Sequence, residues 1–280
     1  MLENITPLIL TYNEAPNLDR TLKKLDWAQK IVIIDSFSTD ETLEIATFYS
    51  KVKIFQRNFD THAAQWNYGL AQVETEWVLS LDADYVLSDQ LVTELAALPA
   101  DTAINGYFIR FRYCVFGQPL RGTILPPRQA LFRQSKSTYV DDGHTQLLQV
   151  NGPSGNLKFP IYHDDRKPLS RWLWAQDRYM VIEVNKLLNT PSQELSLGDR
   201  IRKQKIIAPF VILFYCLILK GGILDGWVGW YYAFQRTLAE ILLSIRLIEA
   251  ERQVHAGITV QPLAPKTRLP AKSVVDCDLN

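Results

Sequence analysis

The apolar positions of the first hundred residues follow two alternating rhythms. Ile5 to Leu10 is a largely apolar run of strand length, and Ile31-Val32-Ile33-Ile34 is β-branched throughout. Val52 to Phe55 and Trp77 to Leu81 are of the same kind. Short apolar runs of this type suit parallel strands buried on both faces. Helical stretches separate them. One runs over about 16–25 and opens at Pro16, whose missing N–H costs nothing in a first turn. A second runs to about Tyr49 from Ser38-Thr39-Asp40-Glu41, which matches a capping box with Ser38 as N-cap. Further helices are predicted over about 61–72 and from the Ser88-Asp89 cap to about Leu98. Strand and helix in alternation predict an α/β fold with a mostly parallel sheet and right-handed crossovers.

After Pro99 the pattern changes. Ile104 to Val115, Gln129 to Arg133 and Leu157 to His163 read as strands, with a Gly/Pro-rich connection between the first two. A short strand follows Asp141-Asp142-Gly143-His144. A helix over about 170–188 places Leu173, Met180, Val184 and Leu187 on one face. Arg200, Arg202, Lys203 and Lys205 then precede the apolar run Ile206 to Leu219. Beyond Trp227, Trp230, Tyr231 and Tyr232, an amphipathic helix spaces Phe234, Leu238, Ile241, Leu242, Ile245 and Ile248 at helical intervals. Residues 256–280 are proline-rich and aperiodic, and are predicted to be a disordered tail.

Composition narrows the class. The 280 residues are 47% hydrophobic and 21% charged, enough for one large domain with appendages. Thirty basic residues balance thirty acidic ones, so no nucleic-acid partner is expected. Cys114, Cys216 and Cys277 show no metal or redox spacing, and reduced thiols in a cytoplasmic compartment are the simplest reading. The start lacks a basic region followed by a long apolar run, so no signal peptide is expected.

Candidate chemistry gathers where strands end. Asp82 and Asp84 close the strand Trp77 to Leu81, and two carboxylates held together call for a cation or a shared proton. Hard oxygen ligands suit Mg²⁺ or Mn²⁺, which commonly carry substrate phosphates. A solvated acidic turn is the alternative for an isolated Asp-x-Asp. Two more polar groups sit at predicted strand ends: Thr11-Tyr12-Asn13-Glu14, and Asp35 through Asp40. Ligands of open parallel sheets bind at that edge. Neither a dinucleotide fingerprint nor a P-loop is present.

Four stretches together resemble a family 2 glycosyltransferase with a GT-A nucleotide-sugar domain. They are Leu8 to Glu14, Ile33 to Asp40, Ala63 to Gly69 and Trp77 to Asp84, and the likeness covers about residues 5–165. Within that family the chain looks most like the subgroup that extends lipopolysaccharide core or related glycans. The resemblance implies a metal-dependent inverting transfer from a nucleotide-diphosphate sugar to a glycan or lipid-linked acceptor. It also implies roles. Thr11, Asn13, Glu14, Gln65 and Asn67 would line the nucleotide pocket. Asp35 would accept from the base, with uracil preferred. Asp82 would approach the ribose or sugar, and Asp84 would bind the metal with His163 as a late ligand.

An inverting enzyme needs one general base. Relatives carry an acidic residue in the loop corresponding to Asp141-Asp142-Gly143-His144-Thr145, usually as a His-Glu pair, and here Thr145 stands in place of the glutamate. Asp142, Asp141 and His144 are the candidates, with Asp142 preferred. A plain turn is the alternative for this stretch. Two rival functions stay open: nucleotidyl transfer onto a sugar phosphate, and a membrane-bound binding or scaffold protein without catalysis.

The expected organisation is a catalytic domain over 1–165, a helical extension over 166–255 and the tail. Ile206 to Leu219 is shorter than the roughly 20 apolar residues of a membrane span. Extending it to Phe234 would bury Lys220 and Asp225 in lipid. A core helix, a re-entrant segment and an interfacial helix remain, and flanking basic and aromatic residues point to the interface over 206–234. The expected location is the inner face of the cell membrane.

Overall fold

The computed structural model describes residues 1–99, 101–124, 126–142 and 145–255. His144 and residues 256–280, expected above to be a base candidate and a disordered tail, lie outside them.

The first half builds a wound sheet. Strands β1 (Ile5–Thr11), β2 (Ile31–Asp35), β3 (Val52–Gln56) and β4 (Trp77–Asp82) alternate with helices α1 (Leu18–Lys23), α2 (Thr42–Thr47) and α3 (His62–Leu70). β5 (Tyr85–Leu87) and α4 (Asp89–Ala97) follow. The chain continues through β6 (Gly106–Ile109), β7 (Phe111–Val115), β8 (Gln118–Pro119), β9 (Arg128–Arg133), β10 (Ser137–Asp142), β11 (Thr145–Val150), β12 (Ser154–Asn156) and β13 (Ile161–His163). The main sheet has seven strands in the order β12-β6-β9-β4-β1-β2-β3. β1 to β4 run parallel to one another, whereas β9 is antiparallel to both β4 and β6.

Alternation along each strand divides the core into two layers. Ile9, Ile33, Leu79 and Leu81 face α1 and α4, meeting Leu18, Leu22, Leu91 and Leu95. Leu8, Val32, Ile34 and Val78 face α3, meeting Ala63, Trp66 and Leu70. Each fully buried aliphatic side chain contributes about 1.5–3 kcal/mol, so these two layers dominate the stability of the domain. The β10–β11 hairpin lies over α3, where Tyr139 stacks on Trp66 at 5.3 Å.

Three predicted elements differ from their expected form. The capping box at Ser38 does not form: α2 begins at Thr42 without a side-chain cap. Ser38 instead turns its N–H and hydroxyl to Asp35, a buried carboxylate that outcompetes an exposed helix end. The stretch from Ile104 to Val115 is two strands rather than one, because exposed Arg110 breaks the run and β7 passes to a second sheet, β5-β13-β7-β8. Leu157 to His163 pairs only from Ile161 onward.

The last third is helical: α5 (Leu169–Asn189), α6 (Leu197–Arg202), α7 (Ala208–Phe214) and α8 (Trp227–His255). α5 packs on α8 through Met180, Val184, Leu187, Leu243 and Leu247. Cys216, Leu217, Val228 and Tyr232 close against Val115 and Leu120, tying this unit to β7 and the turn after β8.

Candidate active site

Register brings the polar strand ends into line. Leu10 lies beside Asp82, Thr11 beside Asp35, and Asp35 beside Gln56. The carboxyl edge of the parallel strands therefore carries the polar groups that the sequence singles out.

Asp35 is fully buried and its oxygens are engaged. Oδ1 accepts from the Thr11 hydroxyl at 2.9 Å and from the Ser38 hydroxyl. Oδ2 accepts from the Ser38 N–H at 2.9 Å and from the Gln56 amide at 3.3 Å. The loops after β1 and β2 are laced together above it. Asn13 donates its N–H to Ser38 Oγ at 2.9 Å, and its side-chain oxygen accepts from Thr39 N–H at 2.7 Å. Asn13 and Phe37 both hold positive φ, 56° and 58°. Left-handed backbone at a residue other than glycine costs about 1–3 kcal/mol and persists where surrounding bonds over-determine it.

A second group joins β1 to the loop after β13. Glu14 accepts from Lys167 Nζ at 2.7 Å and from the Asn17 amide at 3.0 Å. Burial pushes the Glu14 carboxyl up to about 7, against the pull of Lys167. Burial opposes the charge of Lys167 too, but Glu14, Asp165 and Asp84 outweigh it and hold the ammonium above its ordinary value. Arg20 reaches Asp164 at 2.7 Å, and Asn17 donates to Asp165 at 2.9 Å, so α1 clamps this loop.

Asp84 and His163, far apart in sequence, meet with Nε2 and Oδ2 3.1 Å apart. The strand ends at Asp82 and a tight turn carries Asp84 onward, so the antiparallel pairing of β5 with β13 makes the meeting. Burial works against the Asp84 charge, yet His163 more than offsets it and the carboxyl stays at about 2. For His163, burial disfavours the charged form, but the Asp84 charge prevails and raises the imidazole above its ordinary value. Tyr113 and Tyr85 wall the imidazole, with ring centres at 4.7 Å and 5.2 Å. Burial, and after it the Asp82 charge, push the Tyr85 hydroxyl well above its ordinary value.

Whether these residues suit a divalent cation can be judged from their free atoms. Asp84 Oδ1 and His163 Nδ1 are buried and have no hydrogen-bond partner among the described residues. Among the described residues, no three His, Cys, Asp or Glu side chains converge as a complete metal cage. A buried carboxylate with a spare oxygen, beside an imidazole, fits an Mg²⁺ or Mn²⁺ that takes its other ligands from phosphate and water.

The Asp84–His163 pair makes a pH-dependent contribution to stability. The raised His163 value makes that contribution full below 6.5 and lost as pH rises through the folded-state value. The depressed Asp84 value makes it present above 3.8 and lost as pH falls toward about 2. Metal-free wild type should therefore exceed His163→Asn in melting temperature more at about pH 6 than at about pH 9. Differential scanning fluorimetry of both proteins checks this, and a constant gap would refute it.

The other expected residues fall in different places. Gln65 is buried and accepts from Arg57 at 2.6 Å while donating to Ser36 at 3.0 Å. Asn67 is turned to the hairpin, donating to Tyr139 O at 2.8 Å and accepting from Tyr139 N–H at 2.9 Å. Asp141 is exposed on β10 opposite Gln146, and the backbone of Asp142 ends that strand. Lys167, Asn17 and Arg171 were not singled out from the sequence. Arg171 lies over the Tyr12 ring at 5.1 Å, and its Nη1 is buried without a partner among the described residues. The unbroken charged run Asp164-Asp165-Arg166-Lys167 after a strand was the available signal.

Known proteins share the family and fold of this chain. Residues 8–149 match Glycosyl transferase family 2. The chain belongs to that family and is a glycosyltransferase. It is 24% identical over 248 residues to the lipopolysaccharide core biosynthesis glycosyltransferase LpsC of Rhizobium meliloti (strain 1021), covering 82% of this chain and 89% of that one. An uncharacterized glycosyltransferase of Rickettsia bellii is 28% identical over 96 residues, 34% of this chain and 32% of its own. The mannosyltransferase PcManGT of Pyrobaculum calidifontis, solved with GDP-Man and Mn²⁺, superposes with a TM-score of 0.50 at 14% identity, covering 90% of this chain and 87% of that one. The mixed, mostly parallel sheet is thus the GT-A fold.

Proposed function

We propose that this glycosyltransferase moves a sugar, with inversion, from a nucleotide-diphosphate donor to a hydroxyl of a lipopolysaccharide-core-like or other cell-surface glycan. The Asp84–His163 contact, set beside Glu14 and Lys167 at the carboxyl edge, carries the reading. UDP is the preferred carrier, and the likeness to LpsC supports the acceptor class.

Each residue has a part. Asp84 and His163 hold Mg²⁺ or Mn²⁺, with Asp82 toward the ribose or sugar. When bound, the cation neutralises charge that develops on the diphosphate leaving group. Lys167, paired with Glu14 at 2.7 Å, adds positive charge for the same phosphates. Thr11, Asn13, Asp35 and Gln65 shape the nucleoside pocket, with Asp35 fixing the loops. Its 3.3 Å contact to Gln56 is the one a base N–H replaces at least cost. Asn67 acts through the hairpin, in which the β10 strand carries Asp141 and ends at the backbone of Asp142. Asp142 takes the proton of the attacking hydroxyl.

A panel of nucleotide-sugars with Mg²⁺ or Mn²⁺ tests this reading by binding and slow donor hydrolysis. Metal-dependent nucleotide binding is expected, and its absence from wild type would overturn it. Nucleotide binding with no turnover on any glycan acceptor would point to the scaffold alternative.

Peripheral membrane contact is part of the proposal. Among the described residues no helix is long and apolar enough to cross a membrane. Yet α7 and α8 present apolar side chains outward. Ile206, Phe210, Phe214 and Leu219 are more than half exposed, as is Trp227. On α8 the buried face is Tyr232, Ala239, Leu243 and Leu247, whereas Phe234, Ile241, Ile245 and Ile248 form an outward stripe. The apolar periodicity of that helix thus has an outer component that the protein interior does not cover. A stripe of this kind, with Trp at one end and Arg200 and Lys203 nearby in sequence, suits a helix lying in the lipid interface. Wild type should co-sediment with anionic phospholipid vesicles at low salt. The Phe210→Glu, Trp227→Glu double variant should stay in the supernatant while keeping nucleotide binding. Wild type remaining wholly in the supernatant would defeat the membrane reading.

A further inference from the structure

A polar cavity lies between α5 and α8, outside the strand-end site. Its volume is about 220 Å³, and Gln176, Tyr179, Arg202, Arg236 and Glu240 line it with the apolar floor of Met180 and Leu243. Most charge in it is already paired. Arg202 donates to Glu240 Oε1 at 3.1 Å and lies 3.4 Å from Glu183. Two atoms are left over. Arg236 Nε and Glu240 Oε2 are both buried and have no hydrogen-bond partner among the described residues. Glu240 as a whole is 6% exposed. These groups stand one helical turn apart on α8, yet the free atoms do not bond to each other. An unpaired buried donor and an unpaired buried acceptor each cost about 1–3 kcal/mol, so an occupant that satisfies both is strongly selected.

The cavity lies near the carboxylate corner. Tyr113, which walls His163 at 4.7 Å, meets Tyr232 at 4.9 Å, and Arg236 follows Tyr232 by one turn of α8. The cavity is thus joined to the proposed metal site through two aromatic rings. Its position, on the side of the site formed by the helical extension, is where a second substrate can approach.

Resting on the proposed transfer reaction, we infer that this cavity is the acceptor subsite and that it takes a neutral pyranose ring. The chemistry selects that class. One sugar hydroxyl accepts from Arg236 Nε–H while a neighbouring hydroxyl donates to Glu240 Oε2. The Tyr179 ring covers the apolar face of the sugar. A phosphate or carboxylate would satisfy Arg236 but would meet the unpaired oxygen of Glu240, at the cost of like charges in contact. The cavity therefore discriminates by its one spare donor and one spare acceptor.

The test uses the full chain with Mg²⁺ and UDP. Methyl glycosides of glucose, galactose and mannose are probed by saturation-transfer NMR, with inorganic phosphate in parallel. At least one neutral hexoside should bind. Its affinity should fall about ten-fold or more in Arg236→Met and in Glu240→Gln, the loss expected when a hydrogen bond to a charged group is removed. UDP affinity of both variants, measured alongside, reports that each is folded. Absence of hexoside binding to wild type, survival of binding in both variants, or displacement of the hexoside by phosphate would overturn the inference. Loss of metal-dependent UDP binding by wild type would instead count against the donor reading, and an Arg236-dependent hexoside signal would still stand without it.

Discussion

Asp84→Ala is expected to abolish metal-dependent nucleotide binding and sugar transfer together. Outer-shell partners of a metal typically cost about 10–100-fold in affinity or activity when removed, and a direct ligand costs more. Asp84 is buried and 3.1 Å from His163, and its second oxygen has no partner among the described residues. Removing it takes away the carboxylate and leaves His163 without its counter-charge. Isothermal titration with UDP, with and without Mn²⁺, separates the two effects. The metal-dependent part of the affinity should vanish, while the small metal-independent part persists. A variant that still binds UDP more tightly with metal would remove Asp84 from the site. Because the residue is buried, Asp84→Asn serves as a control for folding. It keeps the side-chain volume and should show the same metal insensitivity.

Asp142→Asn is expected to lower turnover by about 10²–10⁴-fold, the usual contribution of a positioned general base, with donor affinity unchanged. Its backbone ends β10, opposite Thr145, on a hairpin held over α3 by the two Asn67–Tyr139 hydrogen bonds. Asp141 gives the comparison. It is exposed on β10 opposite Gln146. Asp141→Asn should leave turnover within a few-fold of wild type. Single-turnover kinetics on a glycan acceptor, with UDP binding measured alongside, decides between them. Equal activity of Asp142→Asn and wild type would move the base elsewhere.

The catalytic half was legible because its signals are local. Runs such as Ile31 to Ile34 are buried on both faces of a parallel sheet, and such strands read as unbroken apolar stretches. Thr61 and Ser88 cap their helices as their positions suggest, accepting from Ala64 and Leu91 N–H. Ser38 shows where local reading fails. Its spacing to Glu41 fits a cap, but the buried Asp35 three residues earlier is a stronger partner. No window of sequence reveals which of two acceptors lies in a dry environment.

By itself the sequence determined the wound α/β class, the strands that end in polar groups, and the family to which those groups belong. It did so because parallel strands need continuous apolar runs, and nucleotide chemistry needs carboxylates where those runs stop. Tertiary structure decided what depends on distant pairing. It joined Asp84 to His163 through β5 and β13, and Glu14 to Lys167 across 153 residues of sequence. It also decided which face of α8 is inside. Helical periodicity shows that a helix has an apolar stripe, but packing against α5 and β7 uses another stripe and leaves Phe234, Ile241, Ile245 and Ile248 outward. The α5–α8 cavity arises in the same way, since its spare donor and acceptor exist only when Arg202, from a third helix, has taken the other oxygen of Glu240.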